Sequence, residues 1–396
     1  MNRSLKAVKK ILLLCLHSVL GQRGGVGNVL FSMGNELYNL GYNMYVVICD
    51  SNTNDNIPYS INDNVNIINI ADSNYKSDLT IWQKLRRNLS GNRDARHRYE
   101  ENILDRYISK RLKPVISDIK PDLAIAFSTD ATRILHRDVR IKCPTITMQH
   151  GDPNIILDKL TSDTLAALNE TSYIQVLMSS FIHESMNKTG LSKEKFVIIP
   201  NPIPQYKIPR KQKNKCIIYT SRVDDSKQQH LIIQSFAMLN EKYKDWKIEF
   251  WGDYTNNKKY YEYCQNLIKK YGLGKQIVFC GETSDVVSKL YYSKIYVIAS
   301  IHEGFPLSLG EAMSSGLPAI GLKKCPAVNE LIINGENGFL CDNTPYSMAL
   351  SLEKLMCNEK LMTEMGYAAK EHMKQFSPNK VWNMWDSLIK TTLQKM

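Results

Sequence analysis

The chain lacks the cysteine patterns of disulfide and zinc frameworks. Its 396 residues include nine cysteines, an odd number, and none of them forms a Cys-x-x-Cys pair. Most lie inside apolar segments that are typical of strands: Cys15, Cys49, Cys216, Cys280 and Cys341. Cysteines of this kind are small core residues that stay reduced, so the sequence predicts a cytoplasmic protein without disulfide bonds.

A membrane-spanning segment at the start and a nucleic-acid-binding module are also missing. Only six apolar residues, 11–16, precede His17, whereas a spanning helix needs roughly 20. A buried first strand is expected there instead. The net charge is +12, but no recognisable nucleic-acid motif accompanies it. The excess charge therefore favours an anionic membrane surface or diphosphate substrates as partners, and no nucleic acid.

Positive charge is concentrated in residues 80–113, which also carry apolar and aromatic residues at helical spacing. This window contains ten basic and four acidic residues, a net charge of +6. The basic residues are Lys84, Arg86, Arg87, Arg93, Arg96, Arg98, Arg106, Lys110, Arg111 and Lys113, and the acidic ones are Asp94, Glu100, Glu101 and Asp105. A basic face beside an apolar face is typical of a helix lying on a membrane surface. A solvated face on an ordinary helix gives the same pattern, so both interpretations stay open. The first predicts peripheral attachment to the inner face of the cell membrane.

Apolar runs of strand length alternate with helical stretches along the whole chain. Seven strands are expected in the first half, at 11–16, 44–49, 65–70, 123–127, 145–148, 173–177 and 196–199. Six follow in the second half, at 216–219, 247–250, 277–279, 295–299, 319–321 and 338–340. Strands separated by helices form parallel, doubly wound sheets, so two Rossmann-like α/β domains are predicted. The expected ligand site is a crevice between them, at the carboxyl ends of the strands.

The two predicted domains are separated by a segment that cannot form a core. Residues 200–215 contain four prolines and five basic residues, which places the domain boundary there. We expect one domain at 1–200 and a second domain at 201–376. The last segment, 377–396, carries apolar residues at helical spacing. It either crosses back onto the first domain or packs within the second.

Two glutamates eight positions apart frame the segment Glu303-Gly-Phe-Pro-Leu-Ser-Leu-Gly-Glu311. The preceding run 295–299 predicts a buried strand, and Pro306 suits the first turn of the helix that follows. Glu303 would then lie on the strand-to-helix loop and Glu311 inside the helix. A nucleotide sugar offers hydroxyl groups at both ends, so one carboxylate can accept hydrogen bonds from the hexose and the other from the ribose. The helix start supplies backbone donors for the diphosphate between them.

Residues 300–321, together with Pro326-Ala-Val-Asn-Glu330 and Asn334-Gly-Glu-Asn-Gly-Phe-Leu340, resemble the donor-binding half of the family 4 retaining glycosyltransferases. These enzymes have the GT-B fold, in which two Rossmann-like domains face each other across a cleft. The resemblance implies a nucleotide-diphosphate sugar as donor, most commonly a uridine diphosphate sugar, retention of the anomeric configuration, and no metal or other cofactor. It also implies that domain 1–200 binds the acceptor and domain 201–376 binds the nucleotide sugar. Among relatives of this kind, the acceptor is a glycan or a polyprenyl-linked oligosaccharide in surface polysaccharide synthesis.

The same resemblance assigns roles to residues in both halves. An arginine and a lysine five residues apart match Arg222 and Lys227 and would stabilise the leaving diphosphate. The implied donor contacts are Gly24, Gly25, Arg222, Lys227, Glu303, Gly304, Phe305, Pro306, Leu307 and Glu311. The loop Gly21-Gln-Arg-Gly-Gly-Val-Gly27 precedes a predicted helix and suits phosphate, although it matches neither the dinucleotide fingerprint nor the P-loop. Asp224 and Asp225 lack partners at metal-binding spacing and are expected to cap a helix.

His150 and Asp152 follow the predicted strand 145–148, and we expect them to contact the acceptor. A histidine at the carboxyl end of a strand can hydrogen-bond a sugar hydroxyl, although a structural histidine would fit the pattern too. The family counterpart of His150 lies near the transferred sugar, so it joins Arg222, Lys227 and Glu303 as a predicted catalytic residue.

Two other functions remain open from the sequence. The chain could be a catalytically inert partner that binds a nucleotide sugar or a glycolipid within an assembly complex. It could also be a nicotinamide-dependent oxidoreductase with Asp50 as its ribose ligand, although that hypothesis explains only the first half. Neither accounts for the presence of Arg222, Lys227, Glu303 and Glu311 together.

Overall fold

The computed structural model describes residues 8–21, 24–52, 56–72, 81–89, 91, 93–158, 160–207 and 214–395. Three predicted segments fall partly outside these residues, beginning with positions 22 and 23 of the glycine loop and 208–213 of the linker. Positions 80, 90 and 92 of the basic window, and the side chains of Arg93, Asp94, Arg98, Glu100 and Glu101, lie outside as well. The described residues form two compact units, one up to Pro200 and from Val381 onward, the other from Asn201 to Lys380.

The first unit is built on a parallel sheet of seven strands. They are β1 (Lys10–Cys15), β2 (Asn43–Ile48), β3 (Asn66–Asn69), β4 (Leu123–Ala126), β5 (Thr145–Met148), β6 (Tyr173–Val176) and β7 (Phe196–Ile198). Their order is β3-β2-β1-β4-β5-β6-β7, and every pair is parallel. The order reverses at β1, as in a doubly wound Rossmann-like sheet.

Helices cover both faces of this sheet. They are α1 (Gly25–Asn39), α2 (Ile81–Asn88), α3 (Arg93–Ile119), α4 (Thr129–Arg133), α5 (Pro153–Ile156), α6 (Ser162–Glu170) and α7 (Ser180–Thr189). Ile11 and Leu13 of β1 belong to one apolar cluster, whereas Leu12 and Leu14 belong to another. Successive side chains of a strand point to opposite faces, so the all-apolar strand reflects burial on both sides.

The second unit repeats this architecture with six strands. They are β8 (Cys216–Thr220), β9 (Lys247–Trp251), β10 (Ile277–Gly281), β11 (Ile295–Ile298), β12 (Ala319–Leu322) and β13 (Gly338–Cys341), in the parallel order β10-β9-β8-β11-β12-β13. Its helices are α8 (Gln229–Ala237), α9 (Lys258–Lys270), α10 (Val286–Tyr292), α11 (Leu307–Ser314), α12 (Val328–Leu331), α13 (Pro345–Met356) and α14 (Glu359–Met373). Because β8 and β11 are neighbours, the loops after them emerge at the same edge.

The predicted strands and the α/β fold class are confirmed. All thirteen predicted segments are strands, and their ends differ from the expected ones by no more than two residues. Both sheets are parallel and doubly wound, as the alternation of strands and helices indicated.

The last helix, α15 (Pro378–Gln394), packs with the first unit along most of its length. Val381, Trp382, Trp385 and Ile389 are buried in the same apolar cluster as Ile11 of β1. The hydroxyl of Tyr42 also donates a 2.7 Å hydrogen bond to the Asp386 carboxylate. The chain therefore returns to its starting unit after completing the second sheet.

Within the described residues, no helix combines the length and the apolarity that crossing a lipid bilayer requires.

Candidate functional site

Lys227 and Glu303 form an ion pair at the carboxyl edge of the second sheet. The Lys227 Nζ lies 2.6 Å from Glu303 Oε1, and the two side chains are only 20% and 16% exposed. Lys227 follows β8 and Glu303 follows β11, so the adjacency of these strands brings together residues that are 76 positions apart. A charge-assisted hydrogen bond of this length holds both groups in a defined place.

Backbone contacts hold the two loops against each other. The amide of Ile301 donates to the carbonyl of Ser226 at 2.9 Å, directly beside the Lys227–Glu303 pair. Asp224 caps the short 3₁₀ turn 225–227 by accepting a 3.0 Å hydrogen bond from the Ser226 amide, which confirms its expected capping role. The position of Lys227 is thus set by main-chain geometry as well as by its ion pair.

A chain of hydroxyl groups lies beneath this pair. The Tyr296 hydroxyl is 3.1 Å from Thr220 Oγ1 at the end of β8 and donates to Ser308 Oγ of α11 at 2.9 Å. The Tyr219 hydroxyl lies 2.9 Å from Ser300 Oγ. Burial, together with the nearby Glu303 charge, raises the pKa of both tyrosines, so they stay neutral. The sequence analysis missed this network, although a tyrosine within an otherwise aliphatic strand is a usable signal for it.

Glu311 lies in α11, as predicted, and is half-buried. Burial raises the pKa of its carboxyl to about 7. Within the described part of the chain, no group donates a hydrogen bond to this carboxylate. A partly desolvated, unpaired acid is costly to maintain and is common at functional sites.

The segment between the two glutamates is tightly packed. Phe305 and Pro306 are buried, and Gly304 and Leu307 are half-buried. The Phe305 ring meets the Phe376 ring edge to face, with 5.6 Å between the centroids. A Cβ on Gly310 would lie 2.4 Å from Ile203 Cδ1, so only glycine allows α11 to approach the segment 201–207 this closely. Close packing keeps the loop in one conformation.

Arg222 is exposed on the loop after β8. Hydrogen bonds from Ser226 and, more weakly, the Arg222 charge lower the pKa of Asp224. Within the described residues, neither Arg222 nor Glu311 forms a hydrogen bond or an ion pair with Lys227 or Glu303. The structure thus joins two of the four predicted residues directly.

In the first unit, Gly24 and Gly25 begin helix α1. Gly24 is the N-cap residue, and the Tyr59 hydroxyl lies 2.5 Å from its amide nitrogen and 2.8 Å from its carbonyl oxygen. A Cβ on Gly27 would lie 2.9 Å from the Tyr59 ring, so glycine is needed there for close packing. Both Gly24 and Gly25 are exposed, which leaves the helix start accessible to an anion.

His150 follows β5 and packs its ring against Phe127, with a centroid distance of 5.1 Å. Its Nε2 atom is buried and has no hydrogen-bond partner among the described residues. Burial lowers the pKa of His150 to about 3, so the ring is neutral at physiological pH. A buried ring nitrogen without a partner is a position where a ligand hydroxyl would be favourable.

His17 and Asp130 lie with His150 at the carboxyl edge of the first sheet. Sequence reasoning did not select them as site residues. The His17 charge contributes to the low pKa of His150, and Asp130 partly offsets the desolvation that lowers the pKa of His17. The three residues follow β1, β4 and β5, which are adjacent in the sheet. Polar residues after neighbouring parallel strands were the signal that could have identified the cluster.

Asp152 has a structural role that the sequence analysis did not foresee. It is the N-cap residue of α5, where its carboxylate accepts a 2.9 Å hydrogen bond from the Asn154 amide. Only 4% of the residue is exposed. Its carboxylate is therefore engaged in holding the loop that carries His150, which argues against a direct acceptor contact.

Asp50 likewise holds a loop. Its carboxylate accepts hydrogen bonds from the amides of Val19 and Leu20, at 2.6 and 2.9 Å, and from the Ser18 hydroxyl. These bonds fix the segment after β1. The arrangement gives Asp50 a structural explanation that does not require the ribose of a nicotinamide cofactor.

Residues 204–372, nearly all of the second unit, match the family model described as glycosyl transferases group 1. This part of the chain is therefore similar to that family. The match covers β8 to β13 and contains Arg222, Lys227, Glu303 and Glu311.

Bacterial proteins, most of them named glycosyltransferases, align with more of the chain at low identity. A protein of Haemophilus influenzae, described as an uncharacterized glycosyltransferase, is 24% identical over 289 residues, which are 71% of this chain and 80% of the relative. An exopolysaccharide phosphotransferase of Streptomyces coelicolor is 26% identical over 71% of this chain. CapM of Staphylococcus aureus, a capsular polysaccharide biosynthesis glycosyltransferase, is 22% identical over 58% of it. The alignments span 28% and 62% of these last two relatives.

Solved structures confirm the GT-B fold. TarM of S. aureus superposes with a TM-score of 0.74 at 15% identity, covering 96% of this chain and 99% of TarM. HepE of Anabaena, crystallised with UDP and glucose, gives a TM-score of 0.71 at 16% identity and the same coverage of both chains. At this identity the likeness establishes the fold.

Proposed function

We propose that this protein is a retaining, metal-independent glycosyltransferase that moves a hexose or N-acetylhexosamine from a UDP-sugar to a glycan or lipid-linked oligosaccharide. The match of residues 204–372 to the glycosyl transferases group 1 model supports glycosyl transfer. Relatives in exopolysaccharide and capsule synthesis support a surface polysaccharide as the product. The UDP and glucose bound to HepE support a UDP-sugar as the donor.

The observation that carries the proposal is the contact between Lys227 and Glu303. A cation and an acid from separate loops meet at one sheet edge, in a half-buried position beside the start of α11. This is the pair of charges that a sugar diphosphate requires, because its phosphates need a cation and its hexose hydroxyls need an acceptor. The backbone amides at the start of α11 offer further donors to phosphate.

In the proposed reaction, the acceptor hydroxyl attacks the anomeric carbon from the face that the diphosphate leaves. The bond between the anomeric carbon and the phosphate oxygen breaks, and a phosphate oxygen takes the proton of the hydroxyl. Lys227 and Arg222 stabilise the negative charge that grows on the diphosphate. Glu303 orients the hexose and Glu311 the ribose, so catalysis rests on orientation and electrostatics.

In the first unit, we assign His150 to a hydroxyl of the transferred sugar or the acceptor, because its buried Nε2 is unpartnered among the described residues. Gly24 and Gly25 remain predicted phosphate contacts, supported by their exposed position at the start of α1. Asp152 is left out of the assignment because it caps α5.

The proposal is tested by screening nucleotide sugars for thermal stabilisation and then measuring transfer with the donor that stabilises most. Lys227→Ala should abolish stabilisation by the donor. It should also reduce the rate of transfer by about 100-fold or more, the loss expected when one electrostatic contact to the transition state is removed. Lys244→Ala is the matched control, because Lys244 is an exposed lysine of the same unit. Normal transfer by Lys227→Ala would contradict the assignment.

Two further measurements separate the proposal from its alternatives. Slow hydrolysis of the donor without an acceptor distinguishes an enzyme from an inert binding partner. The configuration of the product, read from its anomeric proton coupling in NMR, distinguishes retention from inversion. An inverted product would overturn the retaining mechanism while leaving the donor site intact.

A further inference from the structure

Helix α2 exposes its large apolar side chains. Trp82, Leu85 and Leu89 are 77%, 51% and 85% exposed, although each would be stabilised by burial. The amide of Leu89 donates to the carbonyls of Leu85 and Arg86, so this residue continues the helical turn after Asn88. The three side chains therefore belong to one helical segment and form a contiguous apolar patch, which usually marks an interaction site.

The polarity of α2 is inverted relative to that of an ordinary surface helix. Positions 82, 85 and 89 share one face of a helix at 3.6 residues per turn. Gln83 and Arg87 lie on the opposite face and are half-buried. The helix thus turns Gln83 and Arg87 inward and exposes Trp82, Leu85 and Leu89 to solvent. Exposed apolar side chains do not stabilise an isolated unit, so this pattern indicates a partner on the apolar side.

The surroundings of this patch are positively charged. Residues 81–89 contain Lys84, Arg86 and Arg87 and no acid. The following helix, α3, contacts α2 and exposes Arg106, Lys110 and Lys113 on one of its own faces. An anionic partner that can accept apolar side chains complements this charge.

We propose that the patch formed by Trp82, Leu85 and Leu89, flanked by Lys84 and Arg86, docks onto an anionic lipid bilayer. Three side chains are too few for the core of a stable protein interface, which buries about 800 Å² on each partner. Shallow insertion of an aromatic and aliphatic stripe, reinforced by basic residues, is sufficient for reversible attachment to a membrane. A tryptophan is also favoured at the headgroup level. This docking surface is independent of the transfer reaction proposed above.

The test measures sedimentation of the full chain with vesicles of phosphatidylcholine, with and without phosphatidylglycerol. We expect binding to the anionic vesicles only, and weakening by salt because the attraction is partly ionic. The triple variant Trp82→Ser, Leu85→Ser, Leu89→Ser should bind at least tenfold more weakly with an unchanged Tm, since it alters exposed positions. The matched control is Met238→Ser, Tyr346→Ser, Leu350→Ser, which alters exposed apolar residues of the second unit and should bind like the wild type.

Tryptophan fluorescence locates the contact. The chain has five tryptophans, all within the described residues. Trp246, Trp382 and Trp385 are buried, Trp251 is half-buried, and Trp82 is exposed. Anionic vesicles should shift the emission of the wild type to shorter wavelengths. Trp82→Phe should bind these vesicles but lose the shift.

Three results would overturn the proposal. The first is no binding of the wild type to anionic vesicles, and the second is equal binding by the wild type and the triple variant. The third is self-association in the absence of lipid that the triple variant abolishes, because it would make a second copy of this chain the occupant of the patch. Stabilisation by a nucleotide sugar should be the same in the wild type and the triple variant, so failure here leaves the proposed transfer reaction untouched.

Discussion

Replacing Glu311 by glutamine should stabilise the protein at pH 8 and change it little at pH 5. Burial raises the pKa of this carboxyl from its ordinary value of 4.5 to about 7. The folded protein therefore holds the proton more tightly than the unfolded chain does. Unfolding releases a proton between pH 4.5 and pH 7, so the contribution of Glu311 becomes more destabilising as the pH rises through this window.

The size of the effect follows from the pKa. A rise from 4.5 to about 7 corresponds to at most about 3 kcal/mol of destabilisation at pH 8. The side chain is partly exposed, so screening by water reduces this to about 1–2 kcal/mol. For a unit of this size, Glu311→Gln should raise Tm by about 2–8 °C at pH 8. At pH 5 the gain should fall to about a quarter of its value at pH 8, because the carboxyl keeps its proton in the folded state while the unfolded chain has lost only part of it.

The assay is thermal and urea unfolding of both proteins at pH 5 and pH 8. Glu262→Gln is the control, because Glu262 is an exposed acid of helix α9 in the same unit. Its effect should be small and equal at both pH values. The reasoning is refuted if Glu311→Gln is no more stable than the wild type at pH 8, or if its gain is the same at pH 5. The same variant should bind nucleotide sugar more weakly, as expected of an acid retained for function at a cost in stability.

Three other substitutions test the contacts described above. Glu303→Gln should tighten the binding of UDP severalfold in calorimetry, because Lys227 then loses its carboxylate partner; unchanged or weaker binding would argue against Lys227 as the diphosphate ligand. Gly310→Ala should lower the free energy of unfolding of the second unit by about 1–3 kcal/mol in urea, because the added Cβ would clash with Ile203. Gly274→Ala is the control and should be neutral, because a Cβ has open space there. Tyr42→Phe removes a 2.7 Å hydrogen bond to α15 and should cost about 1–3 kcal/mol; an unchanged unfolding midpoint would show that this bond adds nothing.

The strands could be predicted because their signal is local. Runs such as Ile11-Leu-Leu-Leu-Cys15 are apolar at every position, and a run this short is typical of a strand buried on both faces. The placement of Glu303 on a loop and Glu311 in a helix was predictable for the same reason. The family resemblance rested on this segment as well, and the matching of residues 204–372 to the glycosyl transferases group 1 model bears it out.

Pairings between distant side chains could not be read from the chain. Asp50 and Asp152 looked like ligands because acids after strands often are. In the structure, backbone amides already occupy both carboxylates. Which hydrogen-bond donors surround an acid depends on the path of the neighbouring loops. Local patterns carry no information about that path.

The sequence by itself determined where strands and helices form, how they alternate, and which acids and bases were candidates for the site. The tertiary structure decided which of those groups meet and in which ionisation state. It joined Lys227 to Glu303 because β8 and β11 became neighbours. It raised the pKa of Glu311 and lowered that of His150 because packing removed water from both. Periodicity is a property of neighbouring residues, whereas desolvation and charge pairing depend on atoms that only folding brings together.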